Sequence, residues 1–281
     1  MLSFLPTPIG NLEDITYRTI KLLKSSEVVL CEDTRVAKKL LKLLNEKLSA
    51  NIDTKSIQFI SLHSHNEQHF LHNLSYDFFN KNIVYMSDAG TPGISDPGYL
   101  LVNYCHKNNI KFQVLPGASA SIVAVVASGF VDKEFLFVGF LPHKKQIKTE
   151  KLQQILDDGF VSIIYESPKR VLNLLEQINS LSSNRQIFIT KELTKLHERY
   201  HKGTPQELLD ILKDQTTKGE WVVIIDKAPK QKGEPICKTD IENLSLPPKQ
   251  KAKLLSKLAG CDTKDIYMQN LKTKEKDGKY I

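Results

Sequence analysis

Alternation of short apolar runs with helical patterns is the feature that most narrows what this chain can fold into. Strand-like runs at 2–5, 27–31, 57–62, 83–87 and 112–115 are separated by helical spacing at 14–24, 35–45, 66–80 and 97–109. In the second of those helices Val36, Leu40, Leu41 and Leu44 recur every three or four residues and so share one face. Strands alternating with helices of this length predict βαβ units and a largely parallel sheet. A second series follows, with a small-residue helix at 118–129, strand 134–139, helix 149–157, strand 161–165 and helix 169–180. It ends with strands 186–190 and 197–202, helix 204–214 and strand 221–226. Thr204-Pro205 reads as an N-cap followed by proline at the first helical position. The unbroken apolar run from Trp221 to Ile225 suits a strand covered on both faces.

The expected fold is therefore α/β, with two α/β lobes built on largely parallel sheets and a small basic helical C-terminal module. The expected boundaries are an N-terminal lobe at 1–115, a C-terminal lobe at 116–226, a linker at 227–245 and a basic helical tail at 246–281. Pro, Gly and Lys in 227–235 mark the linker. Beyond it, Pro247-Pro248 introduces an amphipathic helix carrying Ala252, Leu255, Leu258 and Ala259 on one face. Gly260 ends that helix, and 263–271 suits a second short one.

Charge divides along the same line. The net charge is +7, yet residues 227–281 hold 13 Lys+Arg against 7 Asp+Glu, whereas residues 1–226 hold 26 against 25. A cationic tail on a neutral body points to a polyanionic partner, although a solvated, lysine-rich tail explains the charge equally well. No apolar run approaches the roughly 20 residues that span a bilayer. The first residues lack a basic stretch and a long apolar core, so no signal peptide is expected and the cytoplasm is the expected location. Cys31, Cys105, Cys237 and Cys261 form no C-x-x-C pair, which argues against a zinc ribbon, a redox motif or a disulfide scaffold. Buried or partly buried free thiols are expected instead.

The densest chemical signal is Ser87-Asp88-Ala89-Gly90-Thr91-Pro92-Gly93-Ile94-Ser95-Asp96-Pro97-Gly98, after a strand and before a helix. Its prolines and glycines prevent regular structure, so the backbone forms a fixed loop at the carboxyl edge of a strand, where open α/β sheets bind ligands. It lacks G-K-[S/T] and G-x-G-x-x-G, so it is not a phosphate-binding loop. Leu115-Pro116-Gly117-Ala118-Ser119-Ala120-Ser121 is a second such turn, suited either to a ligand or to tight helix packing. Leu5-Pro6-Thr7-Pro8-Ile9-Gly10-Asn11-Leu12 is a third. Cys31-Glu32-Asp33-Thr34-Arg35 sets two carboxylates and an arginine at a strand end, where Asp33 or Thr34 also suits a helix cap. Tyr165-Glu166-Ser167-Pro168-Lys169-Arg170, Lys191-Glu192-Leu193-Thr194-Lys195 and Gly219-Glu220-Trp221 are charged or small clusters at later strand boundaries. His63-Ser64-His65-Asn66-Glu67-Gln68-His69 departs from H-E-x-x-H and has no cysteine partners, so no metal site is expected; Asn66 there suits a helix cap.

Taken in order, TPIGNLEDIT, EDTR, HSHNEQ, SDAGTPGISDPG, PGASA, GFLP, YESPKR, KELTK and KGEW resemble the tetrapyrrole-methylase-like (class III) methyltransferases, in particular their ribosomal RNA branch. The resemblance spans residues 5–226, and Leu246-Pro247-Pro248-Lys249-Gln250 extends it into the tail. It implies a bilobal α/β enzyme, commonly a homodimer, that binds S-adenosylmethionine between its lobes. It also implies methyl transfer to the ribose 2′-hydroxyl of a cytidine in the decoding region of 16S ribosomal RNA, on the small ribosomal subunit. Carried over residue by residue, the cofactor would meet Pro8; then Asp88, Ala89, Gly90, Thr91 and Ile94; then Ser119 and Ala120; and finally Glu166 and Leu193. Some tetrapyrrole methylases carry an aspartate where this chain has Thr91.

Methyl transfer from a sulfonium needs no metal, because the leaving group is already activated. Alignment of the attacking oxygen contributes about 7–11 kcal/mol, and a positioned base about 10²–10⁴-fold. Candidates for the base are Glu32, Asp33, Glu166, Glu192 and Lys195, with Arg35, Arg170 or Lys195 as an assisting cation. The basic tail would supply phosphate contacts. Three other readings stand beside this one: a methylase of a tetrapyrrole or other small molecule, a non-catalytic RNA-binding or assembly module, and a zinc hydrolase.

Overall fold

The structure is a computed structural model that describes residues 1–228 and 236–268. The chain divides into two compact units, Met1–Ala228 and Pro229–Ile281.

Five strands open the first unit: β1 (Leu2–Leu5), β2 (Val28–Cys31), β3 (Gln58–Ser61), β4 (Ile83–Met86) and β5 (Phe112–Val114). They form one sheet in the order β3-β2-β4-β1-β5 with every pair parallel, as the alternating pattern predicts. The connections carry α1 (Tyr17–Lys24), α2 (Thr34–Leu48), α3 (Glu67–His72) and α4 (Tyr99–Lys107). Alternate strand residues enter opposite cores. Leu5, Val29, Cys31, Val84 and Met86 pack with Leu23, Leu41 and Leu44 on one face. Leu2, Phe4, Leu30, Ile83 and Tyr85 pack with Leu101 and Cys105 on the other. A parallel sheet needs both faces covered, and this period-two division supplies both.

The helix expected at 66–80 is split. α3 stops at His72, and a 3-10 helix at Tyr76–Asn80 begins afresh where Ser75 accepts a hydrogen bond from the Asp77 amide. Asn66 stands at the N-cap of α3 without capping it: its amide side chain turns back to His63 N and Ser61 O.

The second sheet contains β6 (Phe135–Phe140), β7 (Val161–Glu166), β8 (Ile187–Lys191), β9 (Arg199–Gly203) and β10 (Trp221–Ile225), in the order β6-β7-β10-β8-β9. Here the expectation of a largely parallel sheet is corrected. Only β6 and β7 run parallel; the other three pairs are antiparallel. The seven residues between β8 and β9 are too few for a crossover helix, and β10 enters between β7 and β8 against both. One face packs on α6 (Lys145–Asp157), α7 (Val171–Leu181) and α8 (Pro205–Leu212). α8 begins with the expected Thr204-Pro205 signal, completed by Glu207 as a capping box. The opposite face has a different cover. Ile163, Phe188, Val222 and Ile224 pack against Ala124 and Val125 of α5 (Ala120–Ser128) and against Ile9, from the loop after β1. This shared core joins the two sheets.

In the second unit, α9 (Lys238–Asn243) lies inside the stretch read as linker to residue 245, and α10 (Pro248–Ala259) starts at Pro248 and ends at a left-handed Gly260 as expected. Residues 263–268 are helical, and the remainder of the expected second helix, like 229–235 of the linker, lies outside the described residues. Cys31 and Cys105 are buried free thiols, but Cys237 and Cys261 are exposed, contrary to expectation, because they flank helices whose apolar faces lie elsewhere. Among the described residues no helix is long and apolar enough to cross a membrane.

Candidate functional site

Parallel strands β1 and β4 are neighbours, so the loops leaving them emerge side by side at the carboxyl edge of the sheet. Thr7 and Gly90 tie these loops together through paired backbone hydrogen bonds of 2.9 and 3.0 Å. The loop at 87–98 depends on its glycines: Gly90, Gly93 and Gly98 have φ of 83°, 85° and 127°. A Cβ on Gly98 would lie 2.8 Å from a Tyr85 ring carbon. The Tyr85 hydroxyl donates to Pro97 O at 2.7 Å, anchoring the loop from the strand below. Buried Glu67 accepts from the amides of Gly98 and Leu101 at 3.1 and 3.0 Å, which satisfies the amino-terminal end of α4 where no other side chain caps it. The third loop joins when Thr91 Oγ1 donates to Ala118 O at 3.0 Å, and when Gly117 comes so close to Pro6 that a Cβ there would lie 2.5 Å away.

The second sheet closes over these loops. The hydroxyl of Tyr165, on β7, accepts from the Ser121 amide in the first turn of α5 at 3.0 Å, while its ring packs edge-on against Phe137 and Phe140. The Asn11 amide donates to Thr194 Oγ1 across 183 residues of chain at 3.0 Å. A Cβ on Gly10 would meet the 193–195 loop at 2.5–2.7 Å.

Between the sheets lies a cavity of about 370 Å³. Of the residues expected at a ligand site, Ala89, Gly90, Thr91, Ile94, Ser119, Ala120, Glu166 and Leu193 line it. Pro8 and Asp88 belong to the same loops without forming its wall, and Ile9 takes the place expected of Pro8. Asp96, Phe140, Tyr165, Glu220 and Trp221 also line it; each lies in a motif singled out from the sequence, although none was assigned to the ligand site there. The wall carries three carboxylates, Asp96, Glu166 and Glu220, and no Lys, Arg or His among the described residues.

Glu166, at the end of β7, is 3 % exposed. Its Oε1 accepts from the Ser167 amide at 2.8 Å and forms an ion pair with Arg170 Nε at 3.2 Å; its Oε2 is buried without a hydrogen-bond partner. Arg170 also donates to Leu141 O at 3.0 Å, so the GFLP and YESPKR segments form one structure. Behind them, buried Lys148 donates to Asn173 Oδ1 at 3.2 Å; burial lowers its pKa, and the charge of Glu166 partly offsets that.

The other expected catalytic residues lie outside the wall. Asp33 caps α2 and pairs with Arg35 at 2.6 Å, and the hydrogen bonds from Arg35 hold its pKa at about 2. Glu192 has a positive φ of 55°, and its Oε1 accepts from the Glu220 amide at 2.8 Å and from Lys195 Nζ at 3.0 Å. Burial opposes ionisation of Glu192, but these bonds outweigh it and hold the carboxyl below its ordinary range. Lys195 also reaches Glu220 at 2.9 Å; burial lowers its pKa, and the two carboxylates more than reverse that. This cluster clamps the loop after β8 to the strand β10. Glu32 differs. Burial, then the charge of Asp96, raises its pKa to about 7, while a hydrogen bond of 3.3 Å from the Asp88 amide acts in the opposite direction. His63 and His65 pack edge to face at 5.9 Å.

Fold and cavity together define a two-sheet α/β protein whose strand-end loops enclose a nucleoside-sized, acid-lined site. Residues 1–209 match the family Tetrapyrrole (Corrin/Porphyrin) Methylases. Solved structures with this fold include cobalt precorrin-4 methyltransferase, a cobalamin biosynthetic enzyme (TM-score 0.57, 13 % identity, covering 80 % of this chain and 94 % of that one). Another is uroporphyrin-III C-methyltransferase from Thermus thermophilus complexed with S-adenosyl homocysteine (TM-score 0.52, 12 % identity, 79 % and 96 % covered). Sequence relatives are closer. Ribosomal RNA small subunit methyltransferase I of Campylobacter fetus is 46 % identical over 97 % of this chain and all of that protein, and that of Helicobacter pylori strain 26695 is 44 % identical over 96 % and 98 %. The chain belongs to the ribosomal RNA small subunit methyltransferase I family, within the tetrapyrrole methylases.

Proposed function

We propose that this methyltransferase moves the methyl group of S-adenosylmethionine to the ribose 2′-hydroxyl of a cytidine in the decoding region of 16S ribosomal RNA. The observation that carries the reading is the cavity wall: three carboxylates, no cation among the described residues, and a buried Glu166 oxygen without a hydrogen-bond partner. An unpaired acceptor in a protein interior costs free energy unless a ligand donor meets it. S-adenosylmethionine fits, because it brings a sulfonium, an ammonium and ribose hydroxyls to such a wall.

Bound there, the cofactor supplies an electrophilic methyl on an already activated leaving group. Ala89, Gly90, Thr91, Ser119 and Ala120 admit it closely through small side chains, with Ile94, Leu193 and the neighbouring Pro8 and Asp88 shaping the approach. Glu166, steadied by Arg170, accepts from its hydroxyl or amino groups. Asp33 and Arg35 neutralise each other and cap α2, while Glu192 and Lys195 hold the second lobe's loop, so those four serve architecture in this reading. We take the lobes as 1–115 and 116–226, followed by a basic tail that grips phosphates, and the working form as a cytoplasmic homodimer.

Incubation with labelled S-adenosylmethionine and either undermodified small ribosomal subunits or uroporphyrinogen tests the reading. Label in ribosomal RNA supports it; label in the tetrapyrrole alone would replace it. A tight complex with RNA but no label would favour the non-catalytic module.

A further inference from the structure

Resting on that reading, we propose that Asp96 is the catalytic residue that accepts the proton of the target 2′-hydroxyl.

Three carboxylates face the cavity, and two have other partners. Glu166 is paired with Arg170 at 3.2 Å and Glu220 with Lys195 at 2.9 Å. Asp96 lines the same cavity with no ion-pair partner among the described residues. A base must lie where the reacting hydroxyl lies, and a carboxylate neutralised by a cation takes a proton poorly. Asp96 also comes from the first sheet, whereas Glu166 comes from the second, so the two can serve different ends of the reacting pair.

The setting of Asp96 is rigid. It lies between Gly93 and Gly98 in the loop held by Glu67 and by the Tyr85 hydroxyl on Pro97. The titratable groups around it are Glu32 just past β2, Asp88 in its own loop, Tyr85 on β4 and Tyr165 on β7; the nearby Ser87 hydroxyl bonds the carbonyls of Ala89 and Gly90. All of those that ionise are acidic. Burial, then the charge of Asp88, raises the pKa of Asp96, and the Ser87 hydroxyl partly counters this. Desolvation and a neighbouring like charge both favour the protonated carboxyl, which makes Asp96 a better proton acceptor than an isolated aspartate.

In the reaction the 2′-oxygen forms its bond to the methyl carbon and the carbon–sulfur bond breaks, with its electron pair staying on sulfur, which becomes a neutral thioether. Asp96 takes the hydroxyl proton as that bond forms and later releases it to water. Charge and atoms balance: a hydroxyl and a sulfonium become an ether, a thioether and one proton.

The test measures single-turnover methyl transfer to small-subunit RNA across pH, with calorimetric S-adenosylmethionine binding on the same preparations. Asp96→Asn is expected to slow transfer at least about 10²-fold and to leave cofactor affinity within about threefold, below 1 kcal/mol in effect. Transfer by Asp96→Asn within about threefold of the parent, or its loss together with cofactor binding, overturns the proposal, and so does an acid limb of the rate profile that survives unchanged in Asp96→Asn. An unaltered protein that binds the cofactor and leaves RNA unmethylated refutes the functional reading beneath it instead.

Discussion

Replacing Glu67 with alanine removes the acceptor that serves two buried amides, those of Gly98 and Leu101. A buried donor left without a partner costs about 1–3 kcal/mol, and loss of an anion at a helix amino terminus a further 0.3–1 kcal/mol or so. The vacated side-chain volume can admit a water molecule that satisfies part of this demand. The expected loss is then about 2–4 kcal/mol, a large share of the 5–15 kcal/mol that holds a typical domain. For a unit of this size each kcal/mol lowers Tm by about 2–4 °C, so a fall of roughly 4–16 °C is expected. Glu67→Gln keeps a carbonyl acceptor and loses only the charge, which predicts a smaller loss of about 1–2 kcal/mol. Trp221 is the single tryptophan and is buried in the first unit, so its fluorescence follows that unit alone during heating. The same loop walls the cavity, and both variants should weaken S-adenosylmethionine binding in the same rank order. A Glu67→Ala protein within about 0.5 kcal/mol of the parent, a change typical of surface positions, would refute the assignment of Glu67 as the anchor of this loop.

Other outcomes follow from the same contacts. Tyr165→Phe strands the Ser121 amide and should cost about 1–3 kcal/mol in thermal unfolding, with weaker cofactor binding read by calorimetry. Glu32 has a folded pKa of about 7 against an ordinary value of 4.5, so the folded state binds a proton that the unfolded chain lacks between those pH values. Stability from this group therefore falls as pH rises from 4.5 to 7, and Glu32→Gln should raise Tm at pH 8 while changing little at pH 4.5. Glu192 runs the other way: its lowered pKa contributes stability above the ordinary carboxylate range that is lost on acidification, so Glu192→Gln should flatten the acid limb of the Tm profile. Removing residues 227–281 takes away 13 Lys+Arg and 7 Asp+Glu, and should weaken RNA binding and flatten its salt dependence in filter-binding titrations; an unchanged slope would rule out phosphate contacts by the tail.

The sequence was most legible where local chemistry decides structure. Gly90, Gly93 and Gly98 announced a loop that only positive φ can make, and the first sheet followed from strands and helices of βαβ length. Strand direction in the second sheet was harder to read, because an apolar run such as Trp221–Ile225 is buried on both faces whichever way its neighbours run. Only the short interval before Arg199 hinted at antiparallel pairing. At the site, Glu192 and Lys195 looked chemical because charged pairs at strand ends often are, yet their partner Glu220 is 25 residues from Lys195, and their joint role as a clamp is a tertiary fact. Asp96 and Tyr165 lay within motifs already singled out. Neither stood apart from its neighbours, because facing a cavity and lacking an ion-pair partner are properties of packing across both sheets.

The most direct test is nucleoside mass spectrometry of 16S ribosomal RNA after incubation of undermodified small subunits with the protein and S-adenosylmethionine. One added methyl is expected on the ribose of a decoding-region cytidine, formed much more slowly when Asp96 is replaced by asparagine. A methyl on the base, or an unmodified RNA in the presence of protein that binds the cofactor, would contradict this reading.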